Sequence, residues 1–414
     1  MELKDEWIQE DDVYSNPLLR LTLNGLKYYG ILLYKSQPLK KLNCFRGVCF
    51  TASMLAFNVT QYVDLVQVWG DIGEMTANAA TTLLFTTIIL RIFHFYWNRA
   101  RFNNAIKFAD EGVRHILDYG TPAEKAIFWD NVSYMKRLTA VFWICALVTA
   151  NTMCVYALIE YCSVPEAERV EPPMILRSWY PGGHKEENFG AIYAVQLYIM
   201  YVGQLIVPCW HVFIVSLMVY VRAALTILNH KLRHLDGYVT SGMRSGRLIR
   251  ELKDPEEERL NARRELIIEC VQRQRKLHEY TGELESLIQG PVFVDFIVFS
   301  VLLCALLFEA SVTDSAVQVF IDVCYIMTMT AILFLYYWHA NEIQHQSDQL
   351  SKSAFANDWY NYPPKVNRNL LVLICCSIKP RIMKAFIVSM SLDTFIAILR
   401  ASYSYFTILK QAAD

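Results

Sequence analysis

His230 and His234 stand four residues apart in Asn229-His230-Lys231-Leu232-Arg233-His234. On a helix this spacing puts both imidazoles on one face, an arrangement that can hold a metal ion. A membrane oxygenase needs several such boxes, and the other histidines of this chain are scattered, so the pair reads as solvated residues of a cytosolic helix. No glycine-rich phosphate loop, nucleophile elbow or paired catalytic carboxylate occurs. No catalytic residue, metal site or cofactor is therefore expected, and a membrane enzyme is only a distant alternative. Two acids, Asp322 and Asp393, fall inside apolar stretches, where a charge costs about 2.5 to 3.5 kcal/mol at mid-bilayer and has to meet water or a partner. Asp322 either touches a ligand or bonds to Asn151, Thr152 or a tyrosine of a neighbouring helix. Asp393 either draws cations or bonds one helix to another. The eleven cysteines form no CxxC or metal spacing, and most lie in or beside apolar runs, which makes them small hydrophobes.

These residues sit in a chain of 414 residues with 54% hydrophobic and 19% charged residues and a formal net charge of -1. Such a composition excludes intrinsic disorder, exceeds what a soluble core of this size hides, and offers no basic excess for nucleic acid. A bilayer core of about 30 Å needs roughly 20 apolar residues as a helix. Seven stretches qualify or nearly do: 48–68, 75–97, 138–161, 191–221, 292–308, 317–338 and 385–409. The acidic start, 1–12, lacks a basic and an apolar region, so no cleavable signal peptide is expected.

Positive charge marks cytoplasmic loops. Arg20, Lys27, Lys35, Lys40, Lys41 and Arg46 precede the first stretch; the loop 98–137 is rich in Arg and Lys, as is 222–289, and Lys379, Arg381 and Lys384 precede the last stretch. The loops 67–74, 163–188 and 309–316 are acidic or free of basic residues. The expected architecture is an all-α membrane protein with seven transmembrane helices, a cytoplasmic N-terminus and an extracellular C-terminus. That orientation is opposite to a G-protein-coupled receptor.

In the cytosolic region 222–290, residues 237–253 read as a flexible loop. A helix follows, capped by Asp254, started by Pro255 and interrupted at Gly290-Pro291. Its stripe Leu260, Ile267, Val271, Leu277, Leu284 and Ile288 either packs inside the chain or meets a neighbouring subunit. Ahead of the first span, Leu19, Leu23, Leu26, Gly30 and Leu33 share one face of an interfacial or re-entrant helix.

The C-terminal third carries a specific resemblance. Residues 354–359, Pro380, Ser391-Leu392-Asp393-Thr394-Phe395 and the run 401–409, Ala-Ser-Tyr-Ser-Tyr-Phe-Thr-Ile-Leu, resemble the insect odorant receptor family. The resemblance implies an odour-gated, non-selective cation channel in the plasma membrane of olfactory sensory neurons. Four subunits surround a pore lined by the last helix, and a ligand-selective subunit works in a heterotetramer with a co-receptor that is longer between spans four and five. The modest loop here is similar to a ligand-selective subunit. The resemblance divides the chain into a cytoplasmic N-terminus 1–43, helices one to four in 44–221, a cytosolic helical region 222–290, helices five and six in 291–339, a cytosolic segment 340–384, and the pore helix and C-terminus 385–414. A gustatory receptor-type homotetramer is the alternative. Its terminal motif, Thr-Tyr, five apolar residues and Gln-Phe, is only partly met by Ser404-Tyr405 and Gln411-Ala412.

By the same resemblance, a small, volatile, mostly apolar odorant binds between the outer halves of spans two, three, four and six. Those halves supply Thr76, Ala80, Leu84, Thr149, Met153, Tyr156, Tyr193, Leu197, Met200, Tyr201, Phe320, Cys324 and Tyr325. At the pore, Tyr405, Phe406, Ile408 and Leu409 bring apolar groups together; Ile408 takes the gating position, Gln411 the polar position beside it, and Asp393 the inner vestibule. Membrane lipid is the remaining partner.

Overall fold

Where apolar stretches meet lipid, no water satisfies backbone N–H and C=O groups, and a helix satisfies them within itself. The computed structural model describes residues 16–32, 40–163, 172–180, 186–244, 255–313 and 316–413, and its elements are helices joined to one small hairpin. In chain order they are α1 (Arg20–Tyr29), α2 (Lys40–Gln67), α3 (Ile72–Trp97), α4 (Arg99–Tyr119), α5 (Pro122–Ser163), α6 (Phe189–Arg233), α7 (Leu235–Arg244), α8 (Pro255–Val312), α9 (Ala316–Phe355), α10 (Pro364–Ser377) and α11 (Leu392–Ala413). Strands β1 (Lys384–Ala385) and β2 (Val388–Ser389) pair antiparallel just before α11.

Five of these helices, α3, α5, α6, α8 and α9, are long and apolar enough to cross a membrane. Helices α2 and α11, of 28 and 22 residues, stand where the first and last spans are expected. α6 is apolar on every face, and accordingly it is the central helix, buried along most of its length against α5, α8 and α9. At 1.5 Å per residue, α5, α6, α8 and α9 run about 60 to 87 Å, roughly twice or more the hydrocarbon thickness. Their extensions form a second helical body with α4, α7 and α10.

Three expectations are corrected. Residues 235–244 are helical rather than a loop, because Leu235 and Val239 of α7 pack with Ala262, Leu266 and Ile267 of α8, with Val366 of α10 and with Tyr362 just ahead of α10. That burial outweighs the weak helix preference of Gly237, Ser241 and Gly242. α8 also runs straight through Gly290-Pro291, since the carbonyl that Pro291 frees finds a donor on α3. The last helix starts at Leu392, not at residue 385, because the β1–β2 hairpin intervenes; its turn residue Phe386 has φ 53° and its ring meets Phe293 edge-on at 5.3 Å. The helix ahead of the first span, α1, buries Leu23, Leu26 and Tyr29 against α6 and α2. It ends at Gly30, φ 91°, where a Cβ would stand 2.3 Å from the Asn43 carbonyl oxygen of α2.

The stripe of α8 resolves in favour of intramolecular packing: Ile267, Leu277, Leu284 and Ile288 are buried within this chain. Residues 1–15, Leu33 and Asp254 lie outside the described residues, as does 164–171 of the loop 163–188.

Candidate functional site

Between α3, α5, α6 and α9 lies a narrow apolar cavity of about 70 Å³. α3 contributes Thr81, Leu84, Phe85 and Ile88; α5 contributes Phe142, Ala146, Thr149 and Met153. α6 gives Met200, Gly203, Gln204 and Val207, and α9 gives Tyr325, Thr328, Met329 and Ile332. Leu176 completes the wall from the segment ahead of α6, fixed there by Gln196, whose Oε1 accepts from its backbone N–H (3.1 Å) and whose Nε2 donates to its carbonyl (2.7 Å).

Polar groups tie the walls together. The Tyr325 hydroxyl donates to the Ala80 carbonyl (3.2 Å), and Gln204 Nε2 donates to the Ala146 carbonyl (2.9 Å). The Thr149 and Thr328 hydroxyls lie 3.3 Å apart, each also within reach of the carbonyl four residues back. This hydroxyl pair is the polar handle that an otherwise aliphatic and aromatic cavity offers to a small ligand.

Of the thirteen expected ligand residues, Leu84, Thr149, Met153, Met200 and Tyr325 meet in this cavity. The others do not line it. Ala80 sits behind it as the acceptor of Tyr325; Thr76 bonds to Gly73 in the first turn of α3; Tyr193 donates to the Cys154 carbonyl. Leu197, Cys324 and Tyr156 are half-buried elsewhere, Tyr201 is exposed and bonds Asn151 (2.7 Å), and Phe320 is 54% exposed. The cavity begins about three turns in from the nearer helix ends, at Thr81, Met153, Met200 and Tyr325. Continuing each face inward at three or four residues reaches Ile88, Phe142, Val207 and Ile332, so the faces were legible but the depth was not.

Asp322 is buried and accepts from Gln318 Nε2 of its own helix (3.1 Å), not from Asn151, Thr152 or a tyrosine. Asn151 Nδ2 and the Thr152 hydroxyl bond back to the Leu147 and Val148 carbonyls one turn earlier on α5.

On α11, Asp393, Arg400, Ser404, Ile408 and Gln411 follow one another at steps of seven, four, four and three residues, which keeps them on one face, and all are exposed. Ile408 is 58% and the neighbouring Tyr405 64% exposed. The Leu409 side chain lies outside the described residues. Arg400 was missed by reading the helix for acids and apolar groups alone; the stripe's spacing points to it. On the opposite face, buried Ser402 donates to the Ser300 carbonyl of α8 (3.2 Å).

A larger cavity, about 530 Å³, lies in the second helical body between α4, α5, α6, α7 and α8. It is more polar, with the Lys231–Glu269 ion pair (2.9 Å), Arg273 and His115 in its walls. Burial lowers His115 and pushes the Cys270 thiol up to about 12. Charged walls suit an apolar ligand poorly. His230 and His234 stand near this cavity with rings 4.5 Å apart, but His230 Nδ1 is bonded to the Tyr238 hydroxyl and His234 Nδ1 to the His230 carbonyl, and no metal-binding cluster occurs among the described residues.

Three comparisons bear on the identity of this arrangement. The fold is similar to that of the insect olfactory receptor OR5 from Machilis hrabei, solved in complex with eugenol, with a TM-score of 0.79 at 13% identity, covering 97% of this chain and all of that one. Odorant receptor 56a of Drosophila melanogaster is 27% identical over 409 residues, 96% of each chain. Odorant receptor Or2 of Anopheles gambiae is 23% identical, covering 90% of this chain and 93% of that one. These relatives are receptors, not enzymes, and the 7tm odorant receptor family profile matches residues 71–403. This multi-pass, helical chain belongs to the 7tm odorant receptor family.

Proposed function

We propose that this chain is a ligand-selective odorant receptor subunit that, with the odorant receptor co-receptor, forms an odour-gated cation channel in the plasma membrane of olfactory sensory neurons. The observation that carries the reading is the apolar cavity between α3, α5, α6 and α9, with a hydroxyl pair in its wall, in a chain of this family. Its walls match the chemistry of a small, mostly apolar odorant, and the eugenol complex of a similarly folded receptor supports that class of ligand. At about 70 Å³ the cavity is well below the roughly 300 Å³ at which ligand sites usually begin, so an odorant has to widen it.

The seven spans run with the N-terminus in the cytosol and α11 lines the pore. The exposed stripe of α11 supports this, since a helix face left bare on one subunit is what a shared pore requires. An odorant opens the channel by binding the open state more tightly than the closed one. The test is to express the chain with and without the co-receptor and record currents against an odorant panel. Odour-evoked current only in the pair is expected. Robust current from this chain alone would favour a self-sufficient homotetramer, and current from neither arrangement counts against the channel.

A further inference from the structure

Directly beneath the odorant cavity lies a cluster of buried polar side chains drawn from four helices. Arg91 of α3 donates through Nη2 to Asp295 Oδ1 of α8, and the two side chains are only 4% and 1% exposed. His211 of α6 is hydrogen-bonded through Nδ1 to the hydroxyl of Tyr336 on α9 (2.8 Å), and both are buried. Arg91 acts electrostatically on His211, and both Arg91 and Asp295 act on Tyr336, so the two pairs form one neighbourhood.

Each of three cluster residues follows a cavity residue by one helical turn: Ile88 and Arg91, Val207 and His211, Ile332 and Tyr336. Phe142 joins the layers, since it lines the cavity and its ring meets His211 edge-on at 6.2 Å. On its far side the cluster reaches the last helix by two routes. Asp295 belongs to α8, whose Ser300 carbonyl holds Ser402 of α11; Tyr337, next to Tyr336, packs its ring 6.4 Å from Phe395 of α11.

The cluster is incompletely satisfied. Arg91 Nε and Nη1, Asp295 Oδ2 and His211 Nε2 are buried and have no hydrogen-bond partner among the described residues. Such groups are costly in a membrane interior, and well-packed apolar residues commonly serve stability as well or better. Stability alone therefore gives no reason to keep four of them under the cavity. An arrangement with spare donors and acceptors can exchange partners, which a two-state element needs.

We propose that Arg91 and Asp295, with His211 and Tyr336, are positioning residues that hold α8 in the closed arrangement while the cavity is narrow, and that release it when an odorant widens the floor. The inference rests on the channel reading. Its sign follows from taking the narrow-cavity arrangement, in which the ion pair is made, as the closed one. Removing either charge then relieves a restraint on the closed state. Basal current rises and less odorant is needed, because both follow from one shift of the closed-to-open equilibrium.

The experiment uses the chain with its co-receptor and a panel of alcohols, esters, terpenes and phenols, eugenol included, from which the strongest activator of the unmodified receptor is carried forward. Surface amounts are measured in parallel. Asp295→Asn and Arg91→Gln are expected to raise basal current and lower the half-activating concentration, each by about tenfold, the middle of the range for coupled sites. The charge exchange Arg91→Asp with Asp295→Arg is expected to return both towards the original values. A merely structural role predicts less receptor and less current at an unchanged half-activating concentration, and that result overturns the proposal. If the single variants do not reach the surface, Tyr336→Phe decides, because it keeps the ring and removes only the hydroxyl that meets His211. A rise in basal current with a fall in half-activating concentration in Tyr336→Phe would then support the proposal, and no change in either, or a shift the other way, would overturn it. If the unmodified pair gives no current at all, the channel reading fails instead.

Discussion

His94 Nε2 donates to the Leu287 carbonyl at 2.7 Å, and that carbonyl is the one Pro291 leaves without its main-chain donor, four residues on. A histidine of α3 thus stands in for the missing N–H of α8 and lets a 58-residue helix pass through a proline. His94→Ala should lower the stability of the detergent-solubilised receptor by about 1 to 3 kcal/mol, the cost of an orphaned buried acceptor. Pro291→Ala returns the main-chain donor, so His94→Ala should cost clearly less in that background. Thermal denaturation of the four proteins checks the cycle, and equal losses in both backgrounds would mean the bond is not what matters at His94.

The same bond marks what a sequence can and cannot disclose. Gly290-Pro291 carries a correct local signal, a break in the hydrogen-bond ladder, but the donor that repairs it lies 193 residues away. Residues 237–244 failed likewise: Gly, Ser and Gly suggest a loop until Leu235 and Val239 find their partners on α8 and α10. Apolar length and helix faces are local properties, and so the spans and Leu84, Thr149, Met153, Met200 and Tyr325 were legible. Depth along a helix depends on how four helices stagger, which left Ile88, Phe142, Val207 and Ile332 unnamed. Arg91 and Asp295 stayed hidden because each is a lone charge in an apolar run until the fold pairs them.

Cavity residues and residues nearer the surface should separate in odour response. Ile332→Ala enlarges the floor of the cavity and should shift half-activating concentrations by roughly tenfold, about 1.4 kcal/mol, favouring bulkier odorants. Phe320→Ala, on a residue 54% exposed, should leave the rank order of the panel unchanged. Dose–response curves over homologous esters decide it; equal effects at both positions would place the ligand nearer the outer surface.

Membrane orientation is open to a direct test. A glycosylation acceptor inserted at Gly182 should be modified, because the loop 163–188 is expected outside, whereas one at Gly246 should not. Gly246 is preferable to Gly242, which lies within α7 and lines the larger cavity. A mobility shift removed by glycosidase is the readout, and the reverse pattern would invert the topology.

Thiol chemistry offers a check on the second helical body. Cys270 is buried in α8 and its thiol is pushed up to about 12 by burial, so almost none is thiolate at pH 8 and it should resist maleimide. A variant keeping Cys270 as its sole cysteine should label at least roughly tenfold faster after unfolding than before. Fast labelling of the folded protein would show that α4, α6 and α8 do not close over it.

The last helix supplies the sharpest test of the pore. Asp393, Arg400, Ser404, Ile408 and Gln411 share an exposed stripe with Ile396 at its edge, and on a pore axis Ile408 would be its large aliphatic member nearest the C-terminus. Apolar side chains converging there exclude water and block ions without a charged plug. Ile408→Ser should hydrate the constriction and raise basal current, by less than in a fully symmetric assembly if co-receptor subunits keep their own gates. On such an axis Arg400, two turns from Ile408, would repel cations; Arg400→Gln should increase inward cation current at low ionic strength and do less at high salt, where screening already removes the charge. Ser402 makes the control on the opposite face, since its hydroxyl bonds to Ser300 of α8. Ser402→Ala should alter gating without altering the salt dependence. If Ile408→Ser leaves basal current and ion selectivity untouched while Leu409→Ser changes them, the register is off by one residue. Should neither variant matter and Arg400→Gln show no salt dependence, the exposed face of α11 does not line the pore.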